Sequence, residues 1–172
     1  MACAIFTDYT LDCRDVVGGI KNIYVTELGN KNAVTTDASG LVTAMTLTSG
    51  KRFWKYELLP RGANSYTETW TSSPENGTLF FDQAVVCTFS KMQSSTRYEL
   101  QLIAKNRCLV IVETKNGEYF LTGEENGCYS GGTAQAGGAM GDMNGYNITF
   151  SAQEKLPAKQ LSSLFANLLI PA

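Results

Sequence analysis

Along the chain, short apolar and β-branched runs alternate with Gly, Asn and Pro punctuation, which is the pattern of strands and turns. Ile20 to Thr26 is rich in β-branched and aromatic residues, and Gly29-Asn30-Lys31-Asn32 closes it. Leu41 to Leu47 and Phe53 to Leu59 are the next predicted strands, parted by Ser49-Gly50 and stopped by Pro60 and Gly62. Tyr66 to Thr71 alternates aromatic or threonine with acid, as a two-faced strand does. The clearest alternation follows. Leu79, Phe81, Val85, Cys87 and Phe89 share one parity, with Gln83 its polar exception, while Phe80, Asp82, Ala84, Val86 and Thr88 make a mixed second face. Thr71 to Gly77 is polar with strong turn chemistry, so the two long strands are expected to form a protruding hairpin.

One internal helix is predicted from Ser94-Ser95, as caps, to about Asn106, with Tyr98 and Leu102 near helical spacing. Leu109 to Val112 then reads as a core strand, and Lys115-Asn116-Gly117 as the tight turn that returns Glu118 to Thr122. Gly131 to Gly145 holds six of the chain's 16 glycines among small side chains; unable to build a core, it is expected to be a flexible surface loop. Tyr146 to Ala152 is the last predicted strand. Pro157 is expected to open an amphipathic helix with Leu161, Leu164, Phe165 and Leu168 on one face.

The fold class that results is mainly β (α+β): an antiparallel β-sandwich or barrel with one packed internal helix, a long protruding hairpin and a short C-terminal helix. A chain of 172 residues suits one domain, 1–172. Within it, 1–19 is an N-terminal arm, 131–145 the Gly-rich loop and 157–172 a helical tail. Charged residues are 17% of the chain, below the usual ~25%, which leaves more neutral surface for contact with other chains.

Charge and cysteine usage narrow the function classes. The net charge is −2 and no cationic run exceeds Lys51-Arg52, which argues against a nucleic-acid reader but not against DNA passing nearby. No stretch approaches the ~20 apolar residues of a membrane span. The N-terminus meets Asp8 too soon for a signal peptide, so synthesis in a cytoplasm is expected, and the sequons at Asn76 and Asn147 read as coincidence. Cys3, Cys13, Cys87, Cys108 and Cys128 are odd in number and scattered, favouring reduced thiols, with Cys87 and Cys108 as small hydrophobes in strands.

Candidate chemistry is sparse. The chain has no histidine, which removes the commonest general base and metal ligand. The Gly131–Asp142 run lacks a Gly-Lys-Ser/Thr ending and precedes a strand, unlike a phosphate-binding loop. Glu68, Glu75, Asp82, Glu118 and Asp142 supply carboxylates, but nothing in the sequence pairs any two of them. Tyr56, Tyr66, Trp70, Phe80 and Phe81 suit either a ligand platform or a sandwich core. No catalytic, metal or cofactor site is assigned.

The order of elements resembles the tail tube proteins of tailed phages and the related tubes of contractile injection systems. The likeness is carried by Asn76-Gly77-Thr78-Leu79-Phe80-Phe81, Thr96-Arg97-Tyr98-Glu99-Leu100 and Leu109 to Gly123. It continues in the run Gly141-Asp142-Met143-Asn144-Gly145-Tyr146 into Ile148-Thr149-Phe150 and Ala152-Gln153-Glu154, and the opening Asp12 to Ile20 adds to it. The resemblance implies a structural virion protein, not an enzyme, made in the host cytoplasm and located in the phage tail. Such subunits form rings, typically hexameric, that stack into a conduit for double-stranded DNA, with other tail proteins at the tube ends. On that reading the inter-subunit contacts are expected at Trp70, Ser73, Pro74, Glu75, Asn76, Gly77 and Phe80 of the hairpin, and at Gly132, Gly138 and Asp142 of the Gly-rich loop. Open alternatives are another virion component (tail terminator, connector or capsid decoration), a small ligand- or glycan-binding β-sandwich, and a carboxylate hydrolase.

Overall fold

The computed structural model describes residues 9, 14–60 and 63–169. In chain order the strands are β1 (Ile20–Glu27), β2 (Lys31–Thr36), β3 (Val42–Leu47), β4 (Trp54–Glu57), β5 (Ser65–Ser73) and β6 (Thr78–Ser90). Helix α1 (Ser94–Lys105) follows, then β7 (Cys108–Thr114), β8 (Tyr119–Thr122), β9 (Tyr129–Ala136), β10 (Asn144–Glu154) and β11 (Lys159–Leu161). They form a seven-stranded sheet in the order β2-β3-β11-β8-β7-β1-β4 and a four-stranded sheet in the order β5-β6-β10-β9. The architecture is the expected mainly-β α+β sandwich, and neither sheet closes into a barrel.

Alternation along the strands builds two cores. Val25, Val110 and Val112 of the large sheet face Val85, Cys87, Ile148 and Phe150 of the small sheet, and Leu100 and Ile103 of α1 pack into the same cluster. The opposite face of the large sheet carries Tyr24, Leu109, Ile111, Leu121 and Leu161, covered by Phe53 and Leu168. β7 is therefore buried on both sides, which explains its unbroken apolar run Leu109-Val110-Ile111-Val112. The Asn-Gly turn forms as expected, with Gly117 at φ 87°, where a side chain would be strained. The arm is exposed from Arg14 to Gly19 and pinned at Val17, whose N–H donates to Asn116 Oδ1 at 3.0 Å. Its start, with Cys3 and Cys13, lies outside the described residues, as does the Gly62 end of the Pro60–Gly62 stop.

Three expectations are corrected. The Gly131–Gly145 segment is not a loop: residues through Ala136 belong to β9, and only 137–143 turn before β10. Backbone pairing with β10 needs no large side chain, and at Gly132 a Cβ would sit 2.4 Å from Asn147 O, so glycine is required at that position. The C-terminal helix is also absent. Leu161 ends strand β11, paired with β8 and β3, and Ala166–Leu168 is a single 3₁₀ turn; Leu161 and Leu168 still reach the second core, by an extended route. β1 stops before Gly29–Asn32 as expected, in a 3₁₀ turn, Leu28–Asn30, that leads directly into β2 at Lys31. Finally, Ser94 and Ser95 lie inside α1, whose N-cap is Gln93 with no side-chain cap bond.

Candidate functional site

The four-stranded sheet holds every residue singled out for contact except those in its two end turns. β6 pairs with β10 over ten consecutive positions, Phe81↔Glu154 to Ser90↔Gly145, and with β5 over nine, without a bulge. β5 and β9 are the outermost strands, each paired on one side only among the described residues.

The direction of their free backbone groups follows from the ladder. Lys91 N–H donates to Asn144 O at 2.7 Å, and Gly137 N–H to Met143 O at 3.0 Å. Because antiparallel bonding alternates, even residues of β10 bond to β6 and odd ones to β9. On β9 it follows that Ser130, Gly132, Ala134 and Ala136 turn N–H and C=O away from the sheet. The mutual backbone bonds of Cys128 with Cys108, at 2.9 and 2.7 Å, agree with this parity. On β5 the same alternation turns out Tyr66, Glu68, Trp70 and Ser72. The four strands carry no lysine, arginine or proline.

The hairpin protrudes because β10 ends at Glu154, opposite Phe81, while β5 and β6 continue to Ser73 and Thr78. Trp70 and Leu79 stand on the parity that faces the core lower down, yet they are 69% and 56% exposed because nothing covers the sheet there. Trp70 packs edge-on against Phe81, centroids 6.4 Å apart. At the tip, Asn76 Nδ2 donates to Ser73 Oγ at 3.1 Å, and Gly77 takes φ 63°. Pro74, Glu75 and Asn76 are fully outward, and Phe80 is half-buried on the opposite parity.

Gly138 and Asp142 lie at the other end. Asp142 Oδ2 accepts from Ala139 N–H at 2.8 Å, and a Cβ on Gly137 would sit 2.0 Å from Asp142 Cβ, so that turn is closely folded. Gly132 is in the middle of β9, not in a loop. The hairpin tip and the glycine turn are separated by the 13-residue length of β6, about 40 Å at the usual strand rise. The structure thus places the two proposed contacts at opposite ends of one sheet.

The remaining candidates are scattered. Glu68, on the core side of β5, accepts from Ala158 N–H at 2.7 Å and Tyr66 O–H at 3.0 Å; Asp82, on the other face, accepts from Gln153 at 2.8 Å. Glu75, Glu118 and Asp142 sit in three different turns. Among the described residues no group of three His, Cys, Asp or Glu side chains is placed to hold a metal. Tyr66 stacks on Phe120 at 5.7 Å and Tyr56 meets Phe89 edge-on at 5.8 Å, so these aromatics serve the core. Burial and nearby Glu99 push Tyr56 up to about 12. Gln83, the polar exception of β6, is buried and accepts from Gly123 N–H at 3.0 Å.

Sequence reasoning missed a groove of about 630 Å³ between α1 and edge strand β4, lined by Trp54, Tyr56, Leu102 and Ile103 with Glu27 and Glu99. It also missed a buried carboxylate: Glu113 accepts from Asn22 Nδ2 at 2.6 Å and Tyr24 O–H at 2.8 Å and pairs with Lys21 at 3.2 Å. Only a polar break in the apolar run of β7 signals it. No helix among the described residues is long and apolar enough to cross a membrane. Comparison with protein-family models, with curated proteins and with solved structures returned no match for this chain.

Proposed function

We propose that this chain is a structural subunit that assembles with copies of itself into stacked rings, as a phage tail tube does, forming a conduit for double-stranded DNA. One observation carries the reading: the small sheet ends in two long, unbulged edges with free backbone groups and no lysine, arginine or proline. Solitary proteins guard such edges with charge, proline, bulges or brevity. The large sheet does so: β4 has four residues and carries the Lys55–Glu57 pair, and β2 is broken by register shifts. β9 has eight residues and no charge, and β5 has nine, with its one acid turned toward the core.

The edges are also complementary. Successive strands of the small sheet run antiparallel, so β5 of one copy and β9 of the next continue the alternation without reversing either subunit. Such a contact joins two different patches, and rotation about an axis closes it into a ring. The exposed Trp70 and Leu79 then supply apolar surface for the adjoining ring. Negative-stain imaging of the concentrated protein tests this. Long tubes are expected; isolated rings or decorated shells would favour a terminator, connector or decoration protein. A monomer at every concentration, with no assembly partner required, would overturn the proposal. The α1–β4 groove is the one feature that favours a ligand-binding module instead, and a persistent monomer that binds a small molecule there would support that reading.

A further inference from the structure

We infer that Cys108 and Cys128 form a disulfide site: a low-molecular-weight disulfide present while the chain folds joins the two sulfurs and staples one sheet of the sandwich to the other. The inference concerns the single chain and holds whatever that chain assembles into. Cys108 opens β7 in the large sheet, and Cys128 lies one residue before β9 in the small sheet. They face each other in an isolated antiparallel bridge, each N–H donating to the other's carbonyl, at 2.9 and 2.7 Å. Partners of that kind have Cα atoms about 5.5 Å apart, inside the ~4.4–6.8 Å range that disulfides span. Residues directly opposite also point to one face. Both thiols belong to the core cluster that α1 packs against, and they are 2% and 1% exposed.

The surroundings leave the sulfurs free to meet. Cys108 Sγ makes long contacts, 3.8 Å to Ile103 O and 3.8 Å to Asn106 O, and Cys128 Sγ lies 3.7 Å from Thr122 Oγ1. Cys128 Sγ rests on the bare backbone of Gly123, at φ 69°, where a Cβ would sit 2.6 Å from the sulfur. Cross-strand Cβ atoms are usually ~4.5–5.5 Å apart and disulfide-bonded ones ~3.5–4.5 Å, so closure draws the pair together by about 1 Å. Residues 123–127, which lead into Cys128, belong to no strand and take up that movement. Cys87 shares the cluster, but its ladder partner on β10 is Ile148. The chemistry is two exchanges. One cysteine thiolate attacks the external disulfide, forms a mixed disulfide and releases a small thiolate. The other cysteine thiolate then attacks the protein sulfur of that mixed disulfide, and the second small thiolate leaves with the electron pair. Two protein thiols are oxidised, one external disulfide is reduced to two thiols, and the two protons pass to the leaving thiolates. Burial disfavours both thiolates in the folded chain, so the exchange belongs to folding, before the cluster closes.

The test is oxidative refolding in a Cys3→Ser/Cys13→Ser background; the remaining cysteines, Cys87, Cys108 and Cys128, are buried. The chain is unfolded in denaturant with reductant and diluted into reduced and oxidised glutathione at pH 8. It is then denatured, alkylated and mapped by mass spectrometry. Cys87 to Cys108 and Cys108 to Cys128 span 21 and 20 residues, so loop closure alone favours neither pairing. The folded geometry predicts one alkylated thiol, on Cys87, and one linked pair of peptides joining Cys108 to Cys128. The oxidised protein should melt roughly 5–10 °C above the same protein refolded in reductant. Three alkylated thiols, or a mixture that includes links to Cys87, would overturn the site. The expected link without a higher melting temperature would show that the bond forms but does not staple the sheets, and the inference fails in that form too.

Discussion

Replacing Ala134 with proline separates assembly from folding. The N–H of Ala134 points out of the sheet, so the monomer has no bond to lose, and a proline is tolerated on such an edge. In the ring that N–H would meet a carbonyl of the neighbour's β5. Four residues on each edge, Ser130, Gly132, Ala134, Ala136 and Tyr66, Glu68, Trp70, Ser72, offer about eight hydrogen bonds per junction. At about 0.5–1.5 kcal/mol each, the ladder contributes roughly 4–12 kcal/mol. Ala134→Pro removes one bond and strands the facing carbonyl, costing about 1–3 kcal/mol per junction. At about 1.4 kcal/mol per tenfold, the critical concentration for assembly should rise by about five- to more than a hundredfold. The companion is Thr133→Pro, whose N–H does bond to β10; it should lower the monomer's melting temperature instead. Pelleting across a concentration series reads the first effect, and thermal circular dichroism the second. An Ala134→Pro protein that assembles at the wild-type concentration, or two variants that behave alike, would refute the edge-pairing argument.

Deleting Thr71 to Gly77 and closing the strands with a two-residue turn should leave a folded subunit that forms no tubes; normal tubes in micrographs would remove the hairpin from the assembly. Burial alone would raise the pKa of Glu113, but hydrogen bonds from Asn22, Tyr24 and Lys21 outweigh it and hold the carboxyl below the ordinary glutamate value. A depressed native pKa contributes stability that is full above the unfolded-state value of about 4.3 and is lost as pH falls through the native value. Glu113→Gln should therefore cost about 1–3 kcal/mol at neutral pH and flatten the acid limb of the melting-temperature profile; an unchanged acid limb would refute this. Burial pushes Cys87, Cys108 and Cys128 up to about 12, 11 and 12, so in the Cys3→Ser/Cys13→Ser protein a disulfide reagent at pH 8 should titrate no thiol until denaturant is added.

The strands that were legible in the sequence are those whose side chains do the packing. β6 and β10 alternate because one face meets the large sheet, and β7 reads as a solid apolar run because both its faces are covered. β9 was illegible for the converse reason. Its residues Tyr-Ser-Gly-Gly-Thr-Ala-Gln-Ala are mostly exposed, and its conformation is fixed by backbone bonds to β10, which leave no apolar pattern in the side chains. Helical spacing at Leu161, Leu164, Phe165 and Leu168 was misleading because four apolar residues over eight positions fit either a turn or an extended strap. The hairpin was readable from turn chemistry, but its exposed Trp70 and Leu79 were not. They continue a parity that is buried elsewhere, and only the end of β10 uncovers them.

Joining β5 to β9 would also give each ring two unlike ends. Rotation about an axis roughly along the strands preserves strand direction, so every hairpin tip leaves the same end of the ring and every 137–143 turn faces the other. A second ring that seats its tips against the glycine turns of the first adds head to tail. That contact repeats without limit, because each addition regenerates the surface it consumed. The two interfaces are therefore separable: the tip deletion keeps the β9 edge and Tyr66, Glu68 and Trp70 of the β5 edge, losing only Ser72, and should yield rings, whereas Ala134→Pro keeps the tip and should suppress rings and tubes together. Nothing in this polarity sets a length, so a tube of defined length requires a measuring or capping partner outside this chain. Purified subunits alone should give tubes of broadly distributed length, and a sharp length distribution from the pure chain would contradict a head-to-tail stack.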